Sequence, residues 1–203
     1  RKICVVTGSR SEYGLIKPLL KRIKSHSELE LELVVTGMHL EKEYGNSLDH
    51  IKNDGFKIAI EIPIGPFFGD ELSVTKSIGL EIVNLSSFLK ESNPDILLVM
   101  GDRSEALGAA ISAAYLNIPI AHLSGGDSAR AGVDESARHA ISKFSSIHFP
   151  ATELSKQRLL KMGEDKWRIT LSGEPGIDTI VHSDFLTKKK LSEKLKVSIE
   201  TDY

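Results

Sequence analysis

Residues 97–143 read LLVMGDRSEALGAAISAAYLNIPIAHLSGGDSARAGVDESARHAISK, and this stretch holds two short apolar runs that end in glycine and polar residues. The first run ends at Gly101–Arg103, and the second ends at His122, shortly before Gly125–Asp127. An alanine-rich segment of helical length lies between them. Open α/β sheets place their sites where strands end and loops begin. The pattern therefore predicts parallel strands joined by helices, with a site at the carboxyl ends of the strands.

Short β-rich runs alternate with longer amphipathic segments along the rest of the chain. The predicted strands are Ile3–Thr7, Leu31–Thr36, Lys57–Ile62, Ile96–Met100, Pro119–Leu123, Ile147–Ala151 and Ile169–Ser172. The predicted helices are Glu12–Lys24, Leu72–Glu91, Ser104–Leu116, Glu135–Phe144 and Leu154–Met162. Apolar strands that alternate with helices indicate a parallel sheet covered on both faces. We predict an α/β fold, a Rossmann-like parallel sheet with helices on both faces.

Composition narrows the class of protein. The 203 residues suffice for one well-packed domain, and a net charge of -2 gives no electrostatic reason to expect nucleic acid or a membrane surface as partner. The single cysteine, Cys4, permits no internal disulfide and no CxxC metal site, which suits a reducing compartment. No apolar run approaches the roughly 20 residues that cross a bilayer. We expect a cytoplasmic protein.

The C-terminal segment differs in composition from the rest of the chain. Residues 187–203 are lysine-rich and have helical spacing without a closing turn or cap. We predict a Rossmann-like domain over residues 1–183 and a linker helix over residues 184–203, leading towards a second domain that this chain does not contain.

The first predicted strand is followed by the sequence TGSRSEYG, residues 7–14. A glycine between a strand and a helix start offers backbone N–H groups to an anion, and Arg10 could hold a phosphate through two hydrogen bonds. The stretch matches neither GxGxxG nor the P-loop, so it supports neither NAD nor a P-loop nucleotide. An ordinary turn with a surface arginine remains the alternative.

Two further strand ends carry candidate site residues. His39 follows the second strand and can face the same crevice, although a structural histidine is the alternative. Asp102 follows the most apolar strand, where it can act as a base or orient one, and Arg103 comes next to it. We interpret Glu105 as a charge in the first helical turn, which the helix dipole favours.

The loop after the fifth strand combines His122, Gly125, Gly126 and Asp127. Two glycines allow a close approach of the backbone to a ligand, or a turn with positive φ. His122, Asp127 and His139 together could suggest a metal, but their spacing matches no zinc or facial-triad pattern. We predict no metal site.

The helix that begins at Asp134 places charged residues one turn apart. Asp134 precedes Arg138, and Glu135 precedes His139, by four residues each. A solvated face with two weak ion pairs, worth about 0.3–0.5 kcal/mol each, is one interpretation. The position of the helix directly after a glycine-rich loop at a strand end favours a site instead.

Taken in order, these motifs resemble those of the hydrolysing UDP-N-acetylglucosamine 2-epimerases of sialic and legionaminic acid biosynthesis. The matching pieces are GSRSEYGLIKPLL, VVTGMHL, GDRSEALGAAISAAYLNIPIAHLSGGD, DESARHAISKFSSIHFPAT and LLKMGEDKWRITLSGEPGID. They extend from Ile3 to about Asp178. The combination GDR, HxxGGD and DESxRHxxxK is far more specific than any one of its parts.

The resemblance implies a fold of two Rossmann-like domains that face each other, as in GT-B glycosyltransferases, with the sugar nucleotide in the cleft. This chain would be the N-terminal half, and the residues that hold uridine and diphosphate would lie mainly in the other half. The resemblance implies a UDP-sugar substrate, no cofactor, and a homodimer. We therefore expect the 203-residue chain alone to be nearly inactive.

The family's reaction removes the proton at C2 of the sugar and expels UDP from C1, and water then adds to a glycal-like intermediate to give free N-acetylmannosamine. This chemistry needs a carboxylate base, a second proton-transfer group and cations for the leaving diphosphate. By motif match, Asp102 and Asp134 fall on catalytic acids of the family. Arg10 falls on a phosphate or sugar contact of the family pattern, and Arg138 and His139 fall on its Arg-His pair.

One departure concerns the place before Gly-Gly, where the family usually has a catalytic glutamate and this chain has Ser124. Asp127, Glu105 or His122 could share that role. The loop 127–133 also looks one residue longer than in the mammalian-type version, so the substrate could be a UDP-linked relative such as a 2,4-diacetamido sugar. The candidate catalytic residues are Asp102, Asp134, His122 and Asp127. The candidate substrate-binding residues are Arg10, His39, Arg103, Ser124, Gly125, Gly126, Glu135, Arg138 and His139.

Two other functions remain open. One is a non-catalytic module that binds or senses a sugar nucleotide, for which Ser124 is the best support. The other is a metal-dependent phosphoesterase, suggested by Gly-Asp after an apolar strand, but the Gly-Asn-His and Gly-His-x-His pieces of such sites are missing. The enzymatic interpretation predicts that Asp102, His122 and Asp134 surround one shared hollow.

Overall fold

The chain forms a six-stranded parallel sheet with the order β3-β2-β1-β4-β5-β6 in a computed structural model that describes residues 1–45, 47–65, 70–129, 132–181 and 184–198. The strands are β1 (Lys2–Thr7), β2 (Glu30–Thr36), β3 (Ile58–Ile62), β4 (Ile96–Met100), β5 (Ile120–Leu123) and β6 (Ile147–Phe149). The helices are α1 (Arg10–Ser25), α2 (Ser47–Asn53), α3 (Glu71–Ser92), α4 (Ser104–Tyr115), α5 (Gly132–Phe144), α6 (Glu153–Lys161), α7 (Pro175–Val181) and α8 (Lys188–Leu195). The predicted Rossmann-like α/β architecture is confirmed.

The predicted seventh strand, Ile169–Ser172, is wrong. Ile169 makes only an isolated bridge to His148. Two backbone hydrogen bonds follow, from the Thr170 N–H to the His148 carbonyl at 2.9 Å and from the Ser172 N–H to the Pro150 carbonyl at 3.2 Å. Because β6 has only three residues, it offers too short an edge for another full strand. The short helices α2 and α7 have seven residues each and escaped prediction, since two turns carry little periodicity.

The strand order reverses between β1 and β4. Successive strands extend from β1 to one side as β2 and β3, and the chain then returns to place β4 against the other side of β1. The helices that follow β1 and β4 diverge at such a point, and a crevice opens outside the carboxyl ends of the two strands. This geometry puts the segments after Thr7 and Met100 on either side of one opening.

The two faces of the sheet bury separate apolar clusters. Cys4, Val6 and Val99 pack in the cluster covered by α3 and α4, whereas Val5 and Leu98 pack in the cluster covered by α1. Successive residues of a strand point to opposite faces of the sheet. Because helices cover both faces, the side chains on each face of these apolar strands are buried. Cys4 is fully buried as expected, and burial raises the pKa of its thiol.

Small residues in α4 allow a close approach between helices. A Cβ at Gly108 would lie 2.8 Å from the Glu81 Cγ of α3. The neighbouring helix α3 is therefore what requires a glycine at this position of α4.

The segment after residue 183 contains α8, which agrees with a helix in the predicted linker. The predicted boundary between domain and linker stays a prediction, and residues 199–203 of that segment lie outside the described residues. Among the helices that are described, none is both long enough and apolar enough to span a membrane.

Candidate active site

A cavity of about 500 Å³ opens at the carboxyl ends of β1 and β4, where the strand order reverses. Four carboxylates and two guanidinium groups share its wall with smaller polar and apolar groups. The lining residues are Ser11, Glu12, Leu15, Met100, Gly101, Asp102, Arg103, Ser124, Asp127, Arg138 and Glu174. The candidates Asp102, Arg103, Ser124, Asp127 and Arg138 are therefore brought together as expected.

Arg138 connects the charged groups of this cavity. Its Nη2 contacts the Asp102 carboxylate, its Nη1 donates to the Ser124 carbonyl at 3.0 Å, and the same Nη1 lies 3.7 Å from Asp127 Oδ2. The Asp127 carboxylate also accepts a hydrogen bond from the Ser155 hydroxyl. The sequence spacing suggested a pairing of Arg138 with Asp134, but the ion pairs link Arg138 to two residues that follow strand ends. A partly buried guanidinium between two carboxylates restricts the positions of both.

Ser124 takes part in this arrangement through both its backbone and its side chain. Its φ of +57° is in the left-handed region, which is uncommon for a residue with a side chain and occurs often at functional sites. Its hydroxyl donates to the Glu174 Oε2 at 3.2 Å. The carboxylate of Glu174 therefore lies next to Ser124, the position at which the family usually has a catalytic glutamate.

The turn after β1 is closed by a carboxylate of the chain itself. The Gly8 N–H donates to Glu12 Oε2 at 2.7 Å, and the Thr7 hydroxyl donates to the same oxygen at 3.3 Å. A Cβ at Gly8 would lie 2.7 Å from the Glu105 Cδ, so the glycine makes room for a buried side chain. The expectation that this turn offers the Gly8 N–H to a phosphate is not met. Burial raises the pKa of Glu12 to about 7.

Glu105 is a buried ion partner and not an exposed charge at a helix end. The Glu105 side chain is 2% exposed, and Arg103 Nη2 donates to Glu105 Oε1 at 2.9 Å. Glu105 lies in the first turn of α4, as predicted. Close packing against Gly8 and Gly37 also encloses it, which the sequence did not indicate. Its contact with Arg103 holds that guanidinium at the cavity wall.

His122 does not reach the cavity. Its side chain is completely buried, and burial lowers its pKa to about 3, which leaves the ring neutral. Nε2 lies 2.8 Å from the Gly101 carbonyl, so Nε2 carries the proton and donates it there. Nδ1 accepts from the Ser142 hydroxyl at 3.1 Å. His122 thus positions the backbone next to Asp102, and the expectation that its side chain shares the hollow is wrong.

His39 is also a buried, neutral histidine. Burial lowers its pKa to about 4. Its Nε2 lies 3.2 Å from the Thr7 hydroxyl, which in turn donates to Glu12. His39 lines a separate hollow of about 530 Å³ beside β2 and β3, so the structure does not bring it to the cavity that contains Asp102.

Gly125 and Gly126 serve close packing of the chain. A Cβ at Gly125 would lie 2.8 Å from the His122 Nδ1, and one at Gly126 would lie 2.8 Å from the Leu159 Cγ and overlap the Ser155 carbonyl. Gly126 also has a φ of +77°. The structure therefore accounts for both glycines without a ligand, and neither lines the cavity.

The remaining candidates lie outside the cavity wall. Arg10 is exposed at the start of α1, and Asp134 is exposed in the first turn of α5, so the predicted hollow shared by Asp134 and Asp102 is not formed. Glu135 accepts from the Ser128 hydroxyl and the Ala129 N–H, and lies 3.5 Å from the His139 Nε2. The contact between Glu135 and His139 is the one that the alternative interpretation, a face with weak ion pairs, gave for this helix.

Two carboxylates that line the cavity, Glu12 and Glu174, were not predicted from the sequence. Glu12 lies in the TGSRSEYG motif after β1, but the functional role predicted for this motif was assigned to Arg10. Glu174 lies within SGEPGID, directly before the proline that begins α7, and no strand end marks it. Its only signal was an acidic residue next to glycine and proline, which many loops contain. Within the described ranges, no group of three or more His, Cys, Asp or Glu side chains could hold a metal ion.

The doubly wound sheet and its acidic cavity at the reversal of strand order define a Rossmann-like α/β protein with a candidate site at its strand ends. A family model described as UDP-N-acetylglucosamine 2-epimerase matches residues 21–202. The chain belongs to this family.

Curated relatives agree with this assignment. A hydrolysing UDP-N,N'-diacetylbacillosamine 2-epimerase from Legionella pneumophila is 45% identical over 195 residues, covering 96% of this chain and 51% of that protein. A UDP-N-acetylglucosamine 2-epimerase from Neisseria meningitidis serogroup B is 34% identical over 193 residues, covering 95% and 50%. The chain spans about half the length of the curated relatives it matches.

The fold is shared with an enzyme of known structure. The crystal structure of UDP-GlcNAc 2-epimerase from Neisseria meningitidis bound to UDP-GlcNAc superposes with a TM-score of 0.78 at 22% identity, covering 97% of this chain and 52% of that chain. At this identity the likeness shows the fold alone. It confirms the predicted Rossmann-like half of a GT-B-type fold.

Proposed function

We propose that the chain is the acid–base half of a hydrolysing epimerase that acts on a UDP-linked 2-acetamido sugar. The observation that carries the proposal is the cavity at the strand-order reversal, in which Arg138 holds Asp102 and Asp127 together. Family membership and the activities named for the relatives support it.

The charges of the cavity suit the neutral sugar better than the diphosphate. The wall has four carboxyl groups and two guanidinium groups, and the carboxyl of Glu12 is partly protonated near neutral pH because its pKa is raised to about 7. Each guanidinium already has a carboxylate partner. Such a wall repels phosphate but accepts hydroxyl and amide donors. We assign the sugar to this half and the diphosphate mainly to residues outside this chain.

Proton transfer at C2 falls to the carboxylates beside Arg138. Asp102 takes the C2 proton while the bond between C1 and the UDP oxygen breaks, and the C–H electron pair forms the C1–C2 double bond. Asp127 is the second proton-transfer group for the addition of water. His122 positions Gly101 and so orients Asp102. Asp134 is exposed and lies outside the cavity wall, so its catalytic role stays a prediction, and unchanged turnover of the Asp134→Asn variant would contradict it.

The choice of sugar follows from the relatives. The relative with 45% identity is named for UDP-N,N'-diacetylbacillosamine, and one with 34% identity is named for UDP-N-acetylglucosamine. We propose that the substrate belongs to this pair of UDP-linked 2-acetamido sugars, with the diacetamido sugar the first to test.

The decisive experiment incubates the full-length protein with each UDP-sugar in deuterated water and identifies the products by NMR. We expect release of UDP and a free 2-acetamido sugar of the manno configuration that carries deuterium at C2. The Asp102→Asn variant should lose at least about 100-fold in rate, since a general base contributes that much or more. Binding of UDP-sugar without UDP release would support the non-catalytic module instead.

The isolated 203-residue chain is expected to be nearly inactive, because it spans half of its relatives. Turnover by this chain at a rate comparable to that of the full-length protein would contradict the assignment of the diphosphate to the other half.

A further inference from the structure

Three polar atoms at the cavity wall are enclosed by the protein and lack a hydrogen-bond partner within the part of the chain that the structure describes. They are the Nε atoms of Arg103 and Arg138 and the Oε1 atom of Glu174. Buried polar atoms are nearly always paired, so unpaired ones at a cavity point to groups that a ligand supplies. Two of the three are donors, and Glu174 Oε1 is an acceptor.

Glu174 is held in place from two directions. The Ser124 hydroxyl donates to Oε2, and Ser124 is itself fixed by the hydrogen bond from Arg138 to its carbonyl. On the other side, α7 packs against α1 so closely that a Cβ at Gly176 would overlap the Leu15 side chain. Oε2 is thus occupied, and Oε1 keeps a fixed position at the cavity.

The other carboxylates of the cavity are already paired within the chain. Asp102 and Asp127 face the guanidinium of Arg138, and Glu12 accepts the Gly8 N–H. Among the ion pairs that the described residues form, none includes Glu174. A carboxylate without a cation partner repels a phosphate and attracts an uncharged N–H or O–H donor.

We propose that Glu174 is a specificity-determining residue that accepts a hydrogen bond from an N–H or O–H group of the sugar, with Ser124 as its positioning residue. The proposal rests on the function proposed above, because it takes the ligand to be a UDP-sugar. In this proposal Ser124 orients Glu174 through its hydroxyl, so its position does not require a carboxylate. It also separates recognition of the sugar from recognition of UDP.

The test compares binding of UDP-N-acetylglucosamine with binding of UDP by calorimetry. The full-length Asp102→Asn variant serves as background, so that the UDP-sugar is not consumed. Adding Glu174→Ala should weaken binding of the UDP-sugar by about 10- to 100-fold, since hydrogen bonds to charged groups have that strength, and should leave the affinity for UDP within twofold. Glu174→Gln keeps an acceptor oxygen and should lose less than Glu174→Ala.

Two controls separate this role from a structural one. Ser124→Ala, which frees Oε2, should weaken UDP-sugar binding by a smaller factor than Glu174→Ala. Glu153→Gln removes an exposed carboxylate on α6 and should change neither affinity. Equal losses for UDP and UDP-sugar, or a loss below threefold for both, would overturn the proposal. Because binding is measured without turnover, these results are independent of whether the wild-type protein catalyses the proposed reaction.

Discussion

Replacing Arg138 by methionine tests the central contact of the cavity. The substitution keeps an unbranched apolar stem and removes the guanidinium that contacts Asp102, Asp127 and the Ser124 carbonyl. The side chain of Arg138 is 13% exposed, and those of its carboxylate partners are 20% and 29% exposed. The variant therefore leaves two carboxylates close together in a partly buried wall.

The expected loss in the free energy of unfolding is about 3 kcal/mol. Each hydrogen bond to a charged group contributes about 1.5–3 kcal/mol, and breaking a buried pair costs about 3–5 kcal/mol. Partial exposure of the carboxylates places the value near the lower end of the second range. For a chain of this length, a loss of this size lowers the melting temperature by roughly 6–12 °C.

Guanidinium chloride unfolding of the chain, followed by circular dichroism, measures the effect. Asp102→Asn alone should cost about 1.5 kcal/mol, and the double variant should show a coupling of about 1–2 kcal/mol with Arg138→Met. Arg22→Met, at an exposed arginine of α1, is the matched control and should change stability by less than about 0.5 kcal/mol. If the effects of the two cavity substitutions simply add, Arg138 does not hold Asp102 and the geometry is refuted.

Three other expectations concern catalysis, pH and backbone strain. In full-length protein, Asp102→Asn should abolish deuterium incorporation at C2 while UDP-sugar binding persists; unchanged incorporation would remove Asp102 from the mechanism. Burial raises the pKa of Glu81 to about 8, and a carboxyl with a raised pKa stabilises the fold most below its unfolded value near 4.5 and loses that contribution as pH rises through 8. Urea unfolding should therefore show Glu81→Gln gaining stability relative to the wild type between pH 5 and pH 9, and a constant difference would contradict the assignment. Gly126→Ala should lower the free energy of unfolding by about 3 kcal/mol, because φ is +77° and the new Cβ would overlap the Ser155 carbonyl. A melting temperature within about 2 °C of the wild type would contradict this expectation and show that the backbone around Gly126 shifts to accept the methyl group.

The candidate site was predictable where a residue directly follows a strand. Asp102 and Arg103 follow β4 after a single glycine, and Ser124 comes directly after β5, so the parallel sheet alone brings them to one edge. Arg138 lies in the second turn of α5, which still places it near that edge.

Prediction failed where packing, and not chain position, decides accessibility. His122 lies inside β5, a strand buried on both faces, so its ring is enclosed although it is near a strand end. Glu174 reaches the cavity only because α7 folds back onto α1, a contact between segments about 160 residues apart that no local pattern encodes.

By itself, the sequence determined that this protein is a doubly wound α/β domain with a polar site at its strand ends. Strands with apolar residues on both faces are buried only in a sheet that helices cover on both sides. Parallel connections place the carboxyl ends of all its strands at one edge of the sheet. The tertiary structure alone decided which polar groups face the opening, that Arg138 pairs with Asp102, and that Glu174 stands beside Ser124. These outcomes depend on distances between segments that are remote in the chain, and burial then sets the charge that each group carries.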